Sequence, residues 1–469
     1  MKRIIVFAVL FASVTFVNTL FAYNIELHIK NFPNNRLYLG VYYGANFEVI
    51  DTTYTNNNGY AQFKDDKDLK QGVYFVVLPP HTRIEFLLLD DQEFVIKTDL
   101  NNVLSELTIE NLDYEDYFVP MQREIASISL KKSNLDMQRQ YFEYAGQKDS
   151  ADYVKREIEM LNIDREAIYR KYLELDDDTF LSKMIRMMLQ PEFLEDSRHL
   201  KYSEPGAYYQ FYKTHYFDRV DFSDDRILRT PEFVFDRLIK EYCTYFVNTY
   251  QETPDSAYNN LDFLINKSEA NPEVFKYVIS YLSAYYAKPP YRGMEFLFVY
   301  LVDKYFLQNE YEWVDESTLE RLKAEADEMR FNLVGNSAVD IELKTTENKE
   351  YKLHSIDSKY TLLWFWEPDC KYCTDGIKKI LEVYDDLKQY QVEIISIYVG
   401  TDQEHWLKSI TDFEDKFINL NDDSLISTIY YGTSKTPRSF ILDSTKTIIV
   451  RDIDPKHILS FLQYIENKQ

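Results

Sequence analysis

Glycine is scarce in this chain, 11 residues in 469, and cysteine scarcer still, with three. So little glycine leaves few flexible linkers. Together with 40 tyrosines and 31 phenylalanines, it points to large aromatic cores and away from long disordered stretches. Three cysteines cannot staple a small extracellular scaffold, which needs several paired bridges. Basic side chains are also short: 53 Lys and Arg stand against 78 Asp and Glu, a formal charge of −25. That balance argues against nucleic acid as a partner and against electrostatic docking on anionic lipid. Beyond the first two dozen residues no run is long and apolar enough to span a bilayer.

Lys2 and Arg3 precede an apolar run from Ile4 to Ala12, interrupted later by Ser13, Thr15 and Asn18. This pattern reads as a secretory signal peptide, residues 1–22, cut after about Ala22. No cysteine follows the run, so no lipid anchor and no permanent span after cleavage are expected. What remains is too long for one core, and two or three domains are expected. Residues 23–112 read as β structure: "NIELHIK" alternates apolar and polar residues, and "RLYLGVYY", "YAQF", "GVYFVVL", "IEFLLLD" and "EFVIK" follow between turn clusters such as Asn56–Gly59 and Pro79-Pro80. Many short strands of this kind suggest a small antiparallel sandwich. His81 and Asp90-Asp91 read there as turn and surface residues.

Residues 113–330 switch to helical periodicity, for example in Met137–Ala145, Tyr153–Leu173, Phe180–Leu189, Pro231–Tyr250 and Pro272–Tyr286, and Thr230-Pro231 and Asn271-Pro272 look like helix starts. Asp218, Asp221, Asp224 and Asp225 crowd together but lack the glycine and terminal glutamate of an EF-hand loop. They read as a solvated turn with helix-capping carboxylates. Cys243 lies in "FDRLIKEYCTYFV", an apolar-periodic helix, and reads as a buried core thiol.

The chemistry concentrates in "LLWFWEPDCKYC", Leu362 to Cys373. An apolar run reads as a buried strand, a turn carrying Pro368 follows, and then come two cysteines spaced C-x-x-C. Ile377, Ile380, Leu381, Tyr384 and Leu387 recur behind them at helical spacing. A helix N-terminus offers free N–H groups and partial positive charge, both of which favour the thiolate of the leading cysteine. Cys370 is therefore the expected attacking residue and Cys373, one turn further on, the resolving one. Lys371 favours the thiolate and Asp369 opposes it.

Residues 331–469 resemble thioredoxin-fold proteins, especially the TlpA/ResA-type thiol–disulfide oxidoreductases of bacterial envelopes. "LVGNSAVDIEL" resembles the family's lead-in, "FWEPDCKYC" its active-site loop, and "KTPRSFILD" (Lys435 to Asp443) the segment that carries its cis-proline. The resemblance covers a little under a third of the chain. A preceding stretch, "THYFDRVDFSDDRILRTPEF", resembles a helical domain of unknown function found ahead of such modules in Gram-negative envelope proteins. The architecture implied is multidomain: an N-terminal all-β sandwich-like module, an all-α middle domain and a C-terminal α/β thioredoxin fold. The resemblance implies a redox-active disulfide Cys370–Cys373 with no other cofactor, and a cis Pro437 against it. Trp366, Pro368, Lys371, Tyr372, Thr436 and Pro437 would then receive the substrate. It further implies protein thiols and disulfides of the periplasm or cell envelope as partners, a membrane electron donor, and action as a reductase or isomerase.

Three positions depart from the family. Asp369 stands where a tryptophan often precedes the first cysteine. Trp364 stands where thioredoxins often bury an acid, and Gly376 where certain envelope relatives carry a glutamate. No proton acceptor for Cys373 is thereby named; solvent, Asp369 and Asp375 are the candidates. Zinc would need four ligands, and a second cysteine pair is absent. A peroxiredoxin-type peroxidase would want Thr or Ser where Glu367 stands. The rival from another class is an envelope binding or assembly protein whose thioredoxin domain recognises partners with little turnover.

Overall fold

The computed structural model describes residues 22–80, 82–112, 116–175, 178–189, 205–231, 234–248, 254–290 and 293–467. The expected leader, up to residue 21, and His81 lie outside them. The chain divides into two compact units, one of residues up to 245 with 267–274, the other of 246–266 with 275–469. The division falls inside the helical region, whose helices are shared between the two.

The first unit opens with eight strands: β1 (Tyr23–Lys30), β2 (Arg36–Tyr43), β3 (Asn46–Tyr54), β4 (Tyr60–Asp65), β5 (Gly72–Leu78), β6 (Thr82–Leu88), β7 (Glu93–Asp99) and β8 (Thr108–Glu110). They form two four-stranded sheets, ordered β4-β1-β7-β8 and β3-β2-β5-β6. In β1 the alternation seen in the sequence holds, with Tyr23, Ile25, Leu27 and Ile29 buried. They share one core with Leu37 and Leu39 of β2 and Phe86 of β6, the packing of a sandwich. One pairing departs from the antiparallel expectation: β1 and β7 run parallel, Leu27 opposite Ile96. The long excursion through the other sheet permits this, since a parallel neighbour needs a crossover and not a hairpin.

Helices α1 (Phe118–Tyr144), α2 (Lys148–Leu175), α3 (Phe180–Met188), α4 (Pro205–His215) and α5 (Phe235–Tyr242) follow. Cys243, just past α5, is fully buried as expected. The aspartate cluster is laced with cations. Lys183 reaches Asp221 at 2.8 Å and Asp224 at 2.9 Å, Arg226 reaches Asp224 at 2.6 Å, and Arg229 reaches Asp225 at 2.7 Å. Asp224 also accepts from the Arg226 amide as a helix cap. Arg229, itself buried, donates to the Gln71 carbonyl at 2.6 Å, tying this turn to the sandwich.

The second unit contains α8 (Glu295–Leu301) and α9 (Glu316–Arg330), after α6 (Pro254–Ser268) and α7 (Pro272–Ala287), which the division cuts. Seven strands follow, β9 (Glu342–Thr345), β10 (Glu350–Lys352), β11 (Tyr360–Trp366), β12 (Val392–Val399), β13 (Ile418–Asp422), β14 (Arg438–Leu442) and β15 (Ile448–Arg451). They make one mixed sheet ordered β10-β9-β13-β12-β11-β14-β15. The central β11 is buried along its whole length. Its even positions Leu362, Trp364 and Trp366 feed one core, and Leu363 and Phe365 the other. A strand covered on both faces reads as a continuous apolar run. Each of these large side chains contributes about 1.5–3 kcal/mol through burial. Helices α10 (Lys371–Glu382), α11 (Tyr384–Gln389), α12 (Gln403–Ser409), α13 (Ser427–Tyr430) and α14 (Ile458–Glu466) complete the unit. Buried Arg451 of β15 donates to Asn332 Oδ1 at 2.7 Å and lies 3.7 Å from Glu295 of α8. The helices before residue 331 thus join the sheet domain by a buried polar contact. Among the described residues no helix is long and apolar enough to cross a membrane.

Candidate functional site

Strand β11 delivers the chain to the sheet's edge at Trp366, and Glu367 to Asp369 turn it into α10. Cys370 occupies the N-cap of that helix. Its carbonyl accepts from the Thr374 amide at 3.1 Å and its sulfur from the Cys373 amide at 3.2 Å. The sulfur thus takes the place usually held by a capping oxygen. Cys370 and Cys373 are disulfide-bonded, their Cα atoms 5.2 Å apart. Burial separates the two: Cys370 is partly accessible, whereas Cys373 is sealed beneath the helix. A thiolate arriving from outside can therefore reach only the Cys370 sulfur. After reduction, the same amide and the helix N-terminus favour the Cys370 thiolate.

The loop before β14 closes over this bond. The Thr436–Pro437 peptide is cis, and the Thr436 carbonyl oxygen lies 3.8 Å from Cys370 Sγ. The Thr436 hydroxyl donates to Glu367 Oε1 at 2.8 Å, fastening the proline loop to the cysteine turn. Between loop and helix runs a groove of about 830 Å³ lined by Trp364, Tyr372, Gly376, Thr436, Pro437 and Arg438. Tyr372 is 81 % exposed at its rim. Lys371 is exposed and Pro368 half-buried in the turn. Deeper in the groove, Arg438 Nε sits 3.0 Å from Asp452 Oδ1 in an ion pair not aligned for a hydrogen bond. Burial pulls the Arg438 pKa below its ordinary value.

Of the residues expected to receive a substrate, Trp366 does not stand at the surface. Its side chain is 1 % exposed and its indole N–H donates to Ser396 Oγ at 2.7 Å within the core. The reason is register: even positions of β11 point under α10, and the strand ends only after residue 366. Trp364, two residues earlier, takes the groove-lining place instead. Its indole N–H is buried without a hydrogen-bond partner among the described residues. A Cβ added at Gly376 would meet Trp364 Cζ2 at 2.2 Å. Two of the sequence departures are thus one feature, an indole filling the space under the helix and a glycine admitting it.

Sequence reasoning also missed His405. From the first turn of α12 its Nε2 comes within 3.4 Å of Asp369 Oδ1, directly before Cys370. Nothing in the spacing of residues 369 and 405 signals this, because the contact is made by the loop after β12. Asp375, the other candidate proton acceptor, lies 3.7 Å from Lys378 Nζ. Among the described residues no group of three or more His, Cys, Asp or Glu side chains is placed to hold a metal ion.

Residues 334–451 match the model of the AhpC/TSA family. A segment of 138 residues, 28 % of this chain, is 28 % identical to the thiol-disulfide oxidoreductase ResA of Geobacillus thermodenitrificans and spans 78 % of that protein. Among solved structures, a thioredoxin-like protein from Bacteroides caccae is 19 % identical, with a TM-score of 0.47 over 59 % of this chain and 98 % of its own. A domain of a possible thiol-disulfide isomerase from Cytophaga hutchinsonii is 24 % identical, with a TM-score of 0.27 over 29 % of this chain and 95 % of its own. The C-terminal part of the chain is a thioredoxin-like domain of the thiol–disulfide oxidoreductase kind, preceded by a β-rich and a helical region.

Proposed function

We propose that this protein exchanges disulfides with other proteins of the periplasm or cell envelope through Cys370 and Cys373, in the reducing or isomerising direction. The observation that carries the reading is the asymmetry of the pair. One sulfur caps a helix and is partly accessible, and the other is sealed one turn below. In the reduced enzyme the Cys370 thiolate attacks a client disulfide, forming a mixed disulfide and releasing one client thiolate. Cys373, deprotonated, then attacks Cys370 Sγ, which frees the second client thiolate and closes the enzyme disulfide. Two electrons pass to the client, and two thiols of the enzyme become one disulfide. A membrane electron donor returns those electrons. The leader-like pattern expected of residues 1–22 supports the location, and the resemblance to TlpA/ResA-type envelope oxidoreductases supports the direction. The Thr436 carbonyl lies against the Cys370 sulfur, Thr436, Pro437, Tyr372 and Lys371 would contact an extended client segment, and Pro368 shapes the turn.

The test is capture. Replacing Cys373 with Ser should leave Cys370 joined to clients or to a small peptide disulfide, visible as a reducible increase in mass. No adduct under any redox condition sinks the proposal. One observation favours a recognition platform with little turnover: Trp364 fills the place of a proton-accepting acid beneath Cys373. Rapid reduction of insulin disulfides by the wild type decides for the enzyme, and binding without reduction for the platform.

A further inference from the structure

Helix α1 is 27 residues long, about 40 Å at 1.5 Å per residue. It packs on α2 along one side, where Ile128 is buried and Leu135 and Phe142 half-buried, and Lys132 Nζ reaches Asn162 Oδ1 at 3.3 Å. On the opposite side Leu130, Met137, Tyr141 and Tyr144 are 67, 59, 64 and 94 % exposed. Their spacing of i, i+7, i+11 and i+14 keeps them in one line down the helix. The positions between them on that side, Ser133, Asn134 and Gln140, carry no charge. An apolar, uncharged line of this length on the outside of a helix is a packing surface that no described residue covers.

Two observations identify the partner as a second copy of this chain. Three residues of the line are placed symmetrically, Leu130 seven residues before Met137 and Tyr144 seven after, while Tyr141 falls level with Ser133. An antiparallel pair with its two-fold axis at Met137 sets Met137 against its own copy and Leu130 against Tyr144 at both ends. That is a closed, isologous contact. Charge agrees. The chain carries −25 overall, but residues 118–175 hold equal numbers of acidic and basic side chains. This hairpin is therefore where two acidic copies approach with least repulsion.

We infer that α1 is the self-association seam of this protein and pairs antiparallel about Met137. Sedimentation of the full chain at micromolar concentrations should show a dimer, and Met137→Glu, which sets two carboxylates face to face, should weaken it at least tenfold without loss of oxidoreductase activity. Register is read separately in a background with Cys370 and Cys373 replaced by serine. Met137→Cys should cross-link to itself under mild oxidation. Leu130→Cys and Tyr144→Cys should each stay single alone and cross-link when mixed. A single-chain mass throughout, a dimer indifferent to Met137→Glu, or self-cross-linking of Tyr144→Cys in preference to Met137→Cys would overturn the inference. So would a monomer that binds phosphatidylglycerol vesicles through Met137, which would make the line a membrane contact.

Discussion

Gly376→Ala isolates the contact that most distinguishes this site. On helix propensity alone the change should stabilise α10 by about 1 kcal/mol. The structure predicts the reverse, because the new methyl would stand 2.2 Å from Trp364 Cζ2 and 2.6 Å from Cη2. The ring cannot retreat, being 3 % exposed between α10 and the sheet. Overpacking of this kind costs about 1–3 kcal/mol against the propensity gain of about 1 kcal/mol, so a net loss of up to about 2 kcal/mol is expected. Replacing the indole with leucine removes the clash, and in a Trp364→Leu background Gly376→Ala should become neutral or stabilising. The two sites then couple by about 2 kcal/mol, well above the few tenths expected of independent positions. Urea titration followed by tryptophan fluorescence reads the transition, since Trp366 and Trp406 remain as buried reporters in the same unit. Equal effects of Gly376→Ala in both backgrounds, or stabilisation in the native one, would refute the argument.

Other contacts make further predictions. Ser396→Ala leaves the buried Trp366 N–H without its acceptor and should cost about 1–3 kcal/mol by the same titration; no change would mean the indole finds another partner. Around Asp224, burial raises the pKa but Arg226 and Lys183 outweigh it, holding the carboxylate at about 2. Because that lies below the ordinary value of 3.8, the stabilisation is complete above about pH 4 and disappears as pH falls towards 2. The side chain is 8 % exposed, so the loss is on the order of 2 kcal/mol, and Asp224→Asn should flatten the acid limb of the stability profile. Arg229→Leu removes the donor to Gln71 and the partner of Asp225. With Asp225 partly solvated, about 2 kcal/mol should be lost from the first unit, seen as an earlier urea midpoint.

Where a segment's burial follows a simple period, its structure could be read directly. β1 alternates and β11 is apolar throughout, and both were identified from sequence. β3 was not: Phe47 and Val49 alternate with Asn46 and Glu48, but on this edge strand Asn46 to Ile50 are all exposed, so its pattern marks no buried face. α1 was recognised only over its last third, from Met137. Its line of exposed apolar residues opposite the α2 contact spreads hydrophobicity round the helix and erases the amphipathic signal. The parallel pairing of β1 with β7 was invisible for a different reason. Alternation fixes which face a strand buries but not which neighbour it joins.

At the site, the residues legible from sequence were those whose role is set locally. Cys370 as N-cap and Cys373 one turn below follow from three residues of spacing at a helix start. What escaped was set by contacts across the fold: His405 beside Asp369, the Thr436–Glu367 link, and the exchange of places between Trp364 and Trp366. The acid missing at position 364 and the glutamate missing at 376 look like two independent losses along the chain. In space they are a single substitution of shape for charge. The indole takes the volume an acid and its solvation would occupy, and it can be there only because residue 376 has no side chain. Restoring a carboxylate at 376 alone would therefore drive it into the ring, and restoring one at 364 alone would leave a cavity under the helix. Each step alone disturbs the packing beneath α10, so the two must be changed together to exchange the indole for a carboxylate without a clash or a cavity.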